Sequence, residues 1–258
     1  MAAGAGKHNK WTCGALRRGL PSQVMKGYGQ FCPVAKAAEV FAERWTPLVL
    51  RELACGSHHF SELHRGVPLM SRTLLAHRLR QLEDAGIVRS AAKTRGRGQE
   101  YFLTPAGEEL RPLIDGLGEW GQRWARSQMH PGDLDPGLLM WDIHRRLNVE
   151  RLPAHRVVIQ FDFSGVPKNW RSLRSFWLVL KRPDVDLCLK DPGYEVDLVV
   201  DADLATLTKV WMGDLRFVDA MRSRFVKLAG PATLVRAFPG WLALSEFAGV
   251  ERPSEETR

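Results

Sequence analysis

Long hydrophobic runs are missing from this chain. The longest apolar stretch free of glycine and proline is Phe176–Leu180, far short of the roughly 20 residues that cross a bilayer as a helix. Near the N-terminus, Lys7, Lys10, Arg17 and Arg18 are followed by no apolar segment of signal-peptide length. The two absences together predict a cytoplasmic protein with no membrane partner. Cysteine is also scarce. Cys13, Cys32, Cys55 and Cys188 are widely spaced and form no CxxC pair, which argues against a disulfide framework or a zinc ribbon. No GxSxG, HExxH or phosphate-binding loop occurs. Gly116-Leu117-Gly118-Glu119-Trp120-Gly121 matches a dinucleotide fingerprint in letters only, because it sits inside a helical stripe with no strand before it. The carboxylate pairs Asp184/Asp186 and Asp201/Asp203 read as solvated strand or turn positions. His58, His59 and His64 lack the cysteine or carboxylate companions that would complete a metal site. The expectation is therefore no catalysis, no metal and no cofactor.

What is present is a globular composition. In 258 residues, 45% are hydrophobic and 26% charged, which suits one large or two ordinary domains. The net charge of +8 is unevenly placed. Residues 1–134 hold 19 Lys and Arg against 12 Asp and Glu, whereas residues 135–258 hold 18 against 17. The basic first half suits a polyanion such as DNA. Residues 1–30 are Gly-, Ala- and Lys-rich and read as a tail, and 251–258 as a second one. A boundary lies at His130–Gly137, where two Pro-Gly-type breaks enclose acidic turn formers. The expected domains are thus 31–130 and 135–250.

The first domain reads as mostly helical. Helical spacing covers Val34–Arg44 and Pro47–Ala54, a short segment follows at Phe60–Arg65, and Pro68 blocks its continuation. Ser71 is a suitable N-cap for a helix over Arg72–Ala85, which Gly86 ends. Two β-type runs, Ile87–Ala91 and Glu100–Leu103, flank a Lys-Thr-Arg-Gly-Arg-Gly loop. Thr104-Pro105 opens a last helix to about Ser127, with Leu110, Leu113, Ile114, Leu117 and Trp120 on one stripe. This order is that of a winged helix-turn-helix. On Arg72–Ala85, Leu75, Leu79 and Leu82 fall within about 60° of one another and must face inward. Side chains near the N-terminus of such a helix read base edges in the major groove. Thr73, Ala76 and His77 are the candidates for that readout, with Ser71, Arg72 and Arg80 beside them. Lys93, Arg95 and Arg97 in the hairpin loop would contact the backbone or a narrow minor groove. From Phe60 to Gln99 there are eight Lys and Arg against three Asp and Glu.

These residues carry a family resemblance. Cys32-Pro33-Val34, the run Arg44-Trp45-Thr46-Pro47-Leu48-Val49-Leu50-Arg51-Glu52-Leu53, and Phe60-Ser61-Glu62-Leu63 resemble the HxlR-type transcriptional regulators of the MarR-like superfamily. So do Ser71–Leu75, Arg78–Glu83 and Tyr101–Gly107. The similarity spans about Cys32–Trp124, with Ala42-Glu43 where the family commonly has Gly-Gly. It implies a homodimer joined through the first and last helices of the domain, bound to palindromic double-stranded DNA. Some members sense oxidants through a cysteine at the position of Cys32, whose thiolate Lys26, Lys36 or a helix N-terminus would favour.

After the boundary the period changes to two. A helix around Leu138–Leu147 precedes alternating runs at Val157–Phe163, Phe176–Leu180, Val185–Leu189 and Val196–Val200. Such alternation predicts an antiparallel sheet with one covered face. Helical patterns at Leu204–Met212 and Phe217–Arg224, a strand at Phe225–Leu228 and a helical stretch through Phe247 complete an α+β domain. These segments resemble the sterol-carrier-protein type of lipid-binding fold. That resemblance implies a cavity for a fatty or sterol-like ligand, with Phe161, Phe163, Phe176, Leu178, Trp211, Phe217 and Trp241 as candidate lining. The residues lead to a DNA-binding regulator whose C-terminal domain binds an apolar effector or helps assemble the dimer; the alternatives are a lipid carrier, or a redox-sensing regulator with a structural C-terminal domain.

Overall fold

The computed structural model describes residues 27–93, 98–125 and 130–251. Most of the expected N-terminal tail, nearly all of the C-terminal one, and the hairpin tip with Arg95 and Arg97 lie outside the described residues.

The N-terminal half begins with α1 (Pro33–Phe41), α2 (Thr46–Ala54), α3 (Phe60–Gly66) and α4 (Arg72–Asp84). Pro33 and Pro47 stand in the first turns of α1 and α2, where a missing N–H costs nothing. The hairpin follows as β1 (Val88–Ala92) and β2 (Gln99–Leu103), paired antiparallel from Val88↔Leu103 to Ala92↔Gln99. The expected last helix is divided, as α5 (Pro105–Glu108) and α6 (Arg111–Trp120), and α6 runs into a π-helical turn at Gly121–Ala125. Pro112 explains the division, since it has no N–H to give the Glu108 carbonyl. Leu50, Leu63, Leu75, Leu79 and Leu82 fill the core between these elements.

The C-terminal half starts with α7 (Pro136–Arg145) and continues through β3 (Val157–Ser164), β4 (Ser175–Lys181), β5 (Asp184–Cys188) and β6 (Leu198–Asp203). Then come α8 (Leu204–Trp211), α9 (Phe217–Arg222), β7 (Val226–Ala229) and α10 (Ala232–Ala237), with a final 3-10 turn at Phe238–Trp241. The strands form one sheet in the order β5-β4-β3-β6-β7. The expectation of an antiparallel sheet needs correction at its centre, where β3 and β6 run parallel, from Ile159↔Leu198 to Ser164↔Asp203. Two hairpin reversals bring β5 back to the direction of β3. Residues 189–197 then cross the sheet before β6 begins, and a crossover is what a parallel neighbour requires. The expected last helix is also shorter, ending in the 3-10 turn rather than reaching Phe247.

A buried ionic chain joins the halves. Glu52 of α2 is fully buried. Its carboxylate accepts from Arg51 Nη2 at 2.7 Å, from Arg145 Nη1 of α7 at 2.7 Å and from Trp141 Nε1 at 3.2 Å. Arg145 also donates to Asp142 at 2.8 Å, and Asp142 accepts from Trp211 Nε1 of α8 at 2.6 Å. Burial alone would lower the proton affinity of Arg145, but the Glu52 and Asp142 carboxylates outweigh it and hold the guanidinium above its ordinary pKa. Gly66 is required here for space, because a Cβ at that position would stand 1.9 Å from Glu52 Cδ.

Candidate nucleic-acid interface

The capping of α4 follows the sequence. Ser71 Oγ accepts from the Leu74 N–H at 3.2 Å, and Gly86 takes the left-handed conformation (φ +70°) that ends such a helix without Cβ strain. Leu75, Leu79 and Leu82 are buried, while Ser71, Arg72, Thr73, His77 and Arg80 are exposed and Ala76 is half-buried. The helix therefore presents its hydroxyl, imidazole and guanidinium groups away from the core. Arg72 lies over the Phe60 ring at 5.1 Å, which ties the start of α4 to α3. Arg78 faces the other way. It is buried and donates to Glu43 Oε2 and to the Arg44 carbonyl, both at 3.2 Å, so it anchors α4 to the turn between α1 and α2.

Next to α4 the hairpin is held at its base. The Lys93 N–H donates to the Gly98 carbonyl at 3.2 Å, His58 Nδ1 is 3.0 Å from the Tyr101 carbonyl oxygen, and Thr104 Oγ1 donates to the Gly86 carbonyl at 2.6 Å. Gly107 packs so close to this base that a Cβ would lie 2.3 Å from the Ile87 carbonyl oxygen. Arg89, exposed on β1, stacks over Phe102 at 4.6 Å. Two residues belong to this surface that sequence reasoning passed over, Gln81 and Arg89, both exposed. Gln81 sits one turn after His77, so the same 100° count that selected His77 would have found it. The histidines set aside as metal ligands serve local structure: His59 Nδ1 is 3.7 Å from Glu100 Oε1, and His64 Nε2 is 3.0 Å from the Met70 carbonyl oxygen.

Helix, turn, capped helix and braced hairpin form a winged helix-turn-helix, and residues 40–129 match the HxlR-like helix-turn-helix family. An HTH-type transcriptional regulator of Methanothermobacter thermautotrophicus is 33% identical over 106 residues, which are 41% of this chain and 81% of that protein. YvaP, an HTH-type transcriptional regulator of Bacillus subtilis, is 33% identical over 37% of this chain and 90% of its own length. The chain belongs to the HxlR-like helix-turn-helix family. Among solved structures, the reduced form of the transcriptional regulator YodB from B. subtilis is similar, with 25% identity, a TM-score of 0.34 and coverage of 39% of this chain and all of that one. As an HxlR-type protein, the chain is a DNA-binding transcription regulator.

Two other sets of candidate residues take their places in this HxlR-like chain. Cys32 is the N-cap of α1 and partly exposed. Lys36, one of the cations expected to favour its thiolate, instead pairs with Glu39 at 3.0 Å. Of the seven candidate pocket residues, six are buried and Phe217 packs against them. Phe161 stacks with Phe163 at 6.4 Å, Phe163 meets Phe176 edge-on at 5.9 Å, and Phe238 stands between Phe217 and Trp241 at 5.7 and 6.1 Å. Trp211 also borders a cavity of about 220 Å³ between the halves, with Arg51 and Arg145 in its wall.

Proposed function

We propose that this protein is a cytoplasmic, homodimeric transcription regulator that reads a palindromic operator by laying α4 in the major groove. The observation that carries the reading is the division of α4 into a buried leucine face and an exposed face of Arg72, Thr73, His77 and Arg80. Ser71 caps the helix end that would approach the DNA, Ala76 is small enough to meet a thymine methyl, and Lys93 begins the wing. Arg95 and Arg97 follow it in sequence and are assigned to the phosphate backbone or minor groove.

The dimer reading is supported by exposed apolar side chains. Leu113, Leu117, Trp120 and Trp124 recur along α6 and its π turn at intervals of four, three and four, and all are exposed. Phe31, 99% exposed, precedes α1, and Val34 is exposed in its first turn. A stripe with that spacing is what pairing of two helices uses, and two-fold symmetry matches a two-fold site. The element order of the C-terminal half supports a sterol-carrier-type domain. Its mutually packed aromatic interior supports a structural role for that interior, which leaves effector binding to the joint between the halves.

The test is a gel shift on the DNA upstream of the protein's own gene, with a salt titration. Replacing Thr73, His77 and Arg80 together by alanine should lower specific affinity at least 100-fold, at roughly 1–3 kcal/mol for each good base contact, with the thermal melt unchanged. Full operator occupancy by a folded triple variant would overturn the reading.

A further inference from the structure

A second cavity, of about 150 Å³, lies between α3 and the C-terminal half. One wall is His64, Arg65 and Pro68, from α3 and the turn that leads into α4. The rest of the lining comes from Leu138 and Trp141 of α7, with Asp135 and Gly137 at its start, and from Trp170, Leu173, Leu187 and Leu189. An engineered cavity of this size with apolar walls holds benzene, so the space admits one aromatic ring.

The charges around it are unequal. Arg65 is exposed, lies over the Trp141 ring at 5.4 Å, and has no carboxylate within ion-pair distance among the described residues. The acid in the wall, Asp135, is already engaged. Its Oδ1 accepts from the N–H groups of Gly137 at 2.8 Å and Leu138 at 3.1 Å, as the N-cap of α7, where the helix end compensates its charge. Burial also pushes the Asp135 carboxyl above the usual aspartate range, against those two hydrogen bonds. The cation at the cavity is therefore the Arg65 guanidinium, next to two indoles and four leucines.

We propose that this cavity is an effector site for a single-ring aromatic carboxylate, its ring among Trp170, Leu138, Leu173 and Leu187 and its carboxylate on Arg65. The position gives the ligand a route to the DNA-binding surface. His64, in the same wall, lies 3.0 Å through Nε2 from the Met70 carbonyl oxygen, one residue before the Ser71 cap of α4. A ring that shifts α3 displaces the turn that aims α4, and operator affinity changes by the ligand's preference for one of the two positions. This regulatory consequence rests on the operator reading above. The binding itself does not, so it is measured on the full chain without DNA.

Benzoate, toluene and benzylamine are the probes, followed by tryptophan fluorescence and isothermal titration calorimetry. Benzoate should bind saturably and at least tenfold more tightly than toluene, with benzylamine weakest. Arg65→Gln, at an exposed position, should remove the advantage of benzoate over toluene while toluene affinity stays within twofold. Leu138→Trp, which fills the space, should abolish binding of both. Trp170→Ala widens the cavity and should weaken benzoate while the chain still folds. No saturable response to benzoate, equal or tighter binding of benzylamine, or an unchanged preference in Arg65→Gln would each overturn the site. Benzoate that binds as expected but leaves operator affinity of the wild-type protein within twofold would overturn its role as an effector.

Discussion

In the N-terminal half, α6 and the π turn after it put Ile114 into the core and leave Leu113, Leu117, Trp120 and Trp124 in water. In the C-terminal half, β3 turns Phe161 and Phe163 inward, and the polar side chains Gln160 and Asp162 on its other face are bonded to their neighbours. Gln160 donates to Asp162 at 2.8 Å, and Asp162 accepts from Ser175 Oγ at 2.7 Å. Exposed apolar residues do occur there, but on separate elements: Leu189 after β5, Tyr194 before β6, Val218 on α9 and Phe225 before β7. One half closes its surface within a single chain, and the other keeps an apolar stripe along one helix and an unshielded cationic face along another. Partners attach where surface is left unsatisfied, and in this chain the continuous stripe of such surface lies on the half that carries the winged helix-turn-helix.

The largest effect should come from the closed core. Phe161→Ala removes a fully buried ring that touches Phe163 and Phe238 and should cost about 3–5 kcal/mol of unfolding free energy, read by urea titration. Leu117→Glu, on the open stripe, should change the stability of dilute protein by no more than about 0.5 kcal/mol and yet convert a dimer to a monomer by light scattering. A Leu117→Glu protein that stays dimeric would break the comparison, because the stripe would then have no partner to lose.

The seam between the halves comes next. Arg145→Met leaves the buried Glu52 carboxylate with Arg51, Trp141 and Ser57 but removes its closest cation from the other half. Breaking one side of a buried pair costs about 3–5 kcal/mol, and the surviving Arg51 contact places this variant near the lower figure. The double change Glu52→Leu with Arg145→Met removes both charges and should recover most of the loss. If the single change is silent, the halves are held by something other than this chain of charges.

The sequence made some of this legible and hid the rest for physical reasons. Strands β3 to β6 appear as period-two runs within a few residues of where they form, because alternation reports which face is covered. It carries no information on direction, and the parallel β3–β6 pair was therefore invisible. Helix α4 was legible in full, since its cap, its leucine period and its terminal glycine all agree. The stripe over α6 was seen as one face, yet Leu110 and Ile114 turn toward the core while Leu113, Leu117 and Trp120 do not. Pro112 was in plain view, but an apolar period running through it hid the break it makes. Glu52 was quoted as part of a motif without any role. Its partner Arg145 is 93 residues away, and a lone carboxylate on an amphipathic helix looks solvated until the second half folds over it.

The smallest prediction sharpens the seam further. His144 of α7 stacks on Trp141 at 5.1 Å and 14°, with Nε2 placed 2.9 Å from the Val185 carbonyl oxygen. Burial lowers its proton affinity most; the Val185 carbonyl opposes that, Arg65 and Arg145 add to it, and Asp186 opposes it. The folded pKa thus lies below the unfolded value of about 6.5. Above that value His144 is neutral in both states, and its full contribution to stability is present. As pH falls below it, the unfolded chain takes up the proton first, so stability declines until the folded imidazole also titrates. The slope from this one group cannot exceed about 1.4 kcal/mol per pH unit. Urea titrations from pH 7.5 to 5.5 should show the wild type losing more stability than His144→Phe, which keeps the stack and removes the titration. Parallel losses in the two proteins would mean that the seam does not feel this proton.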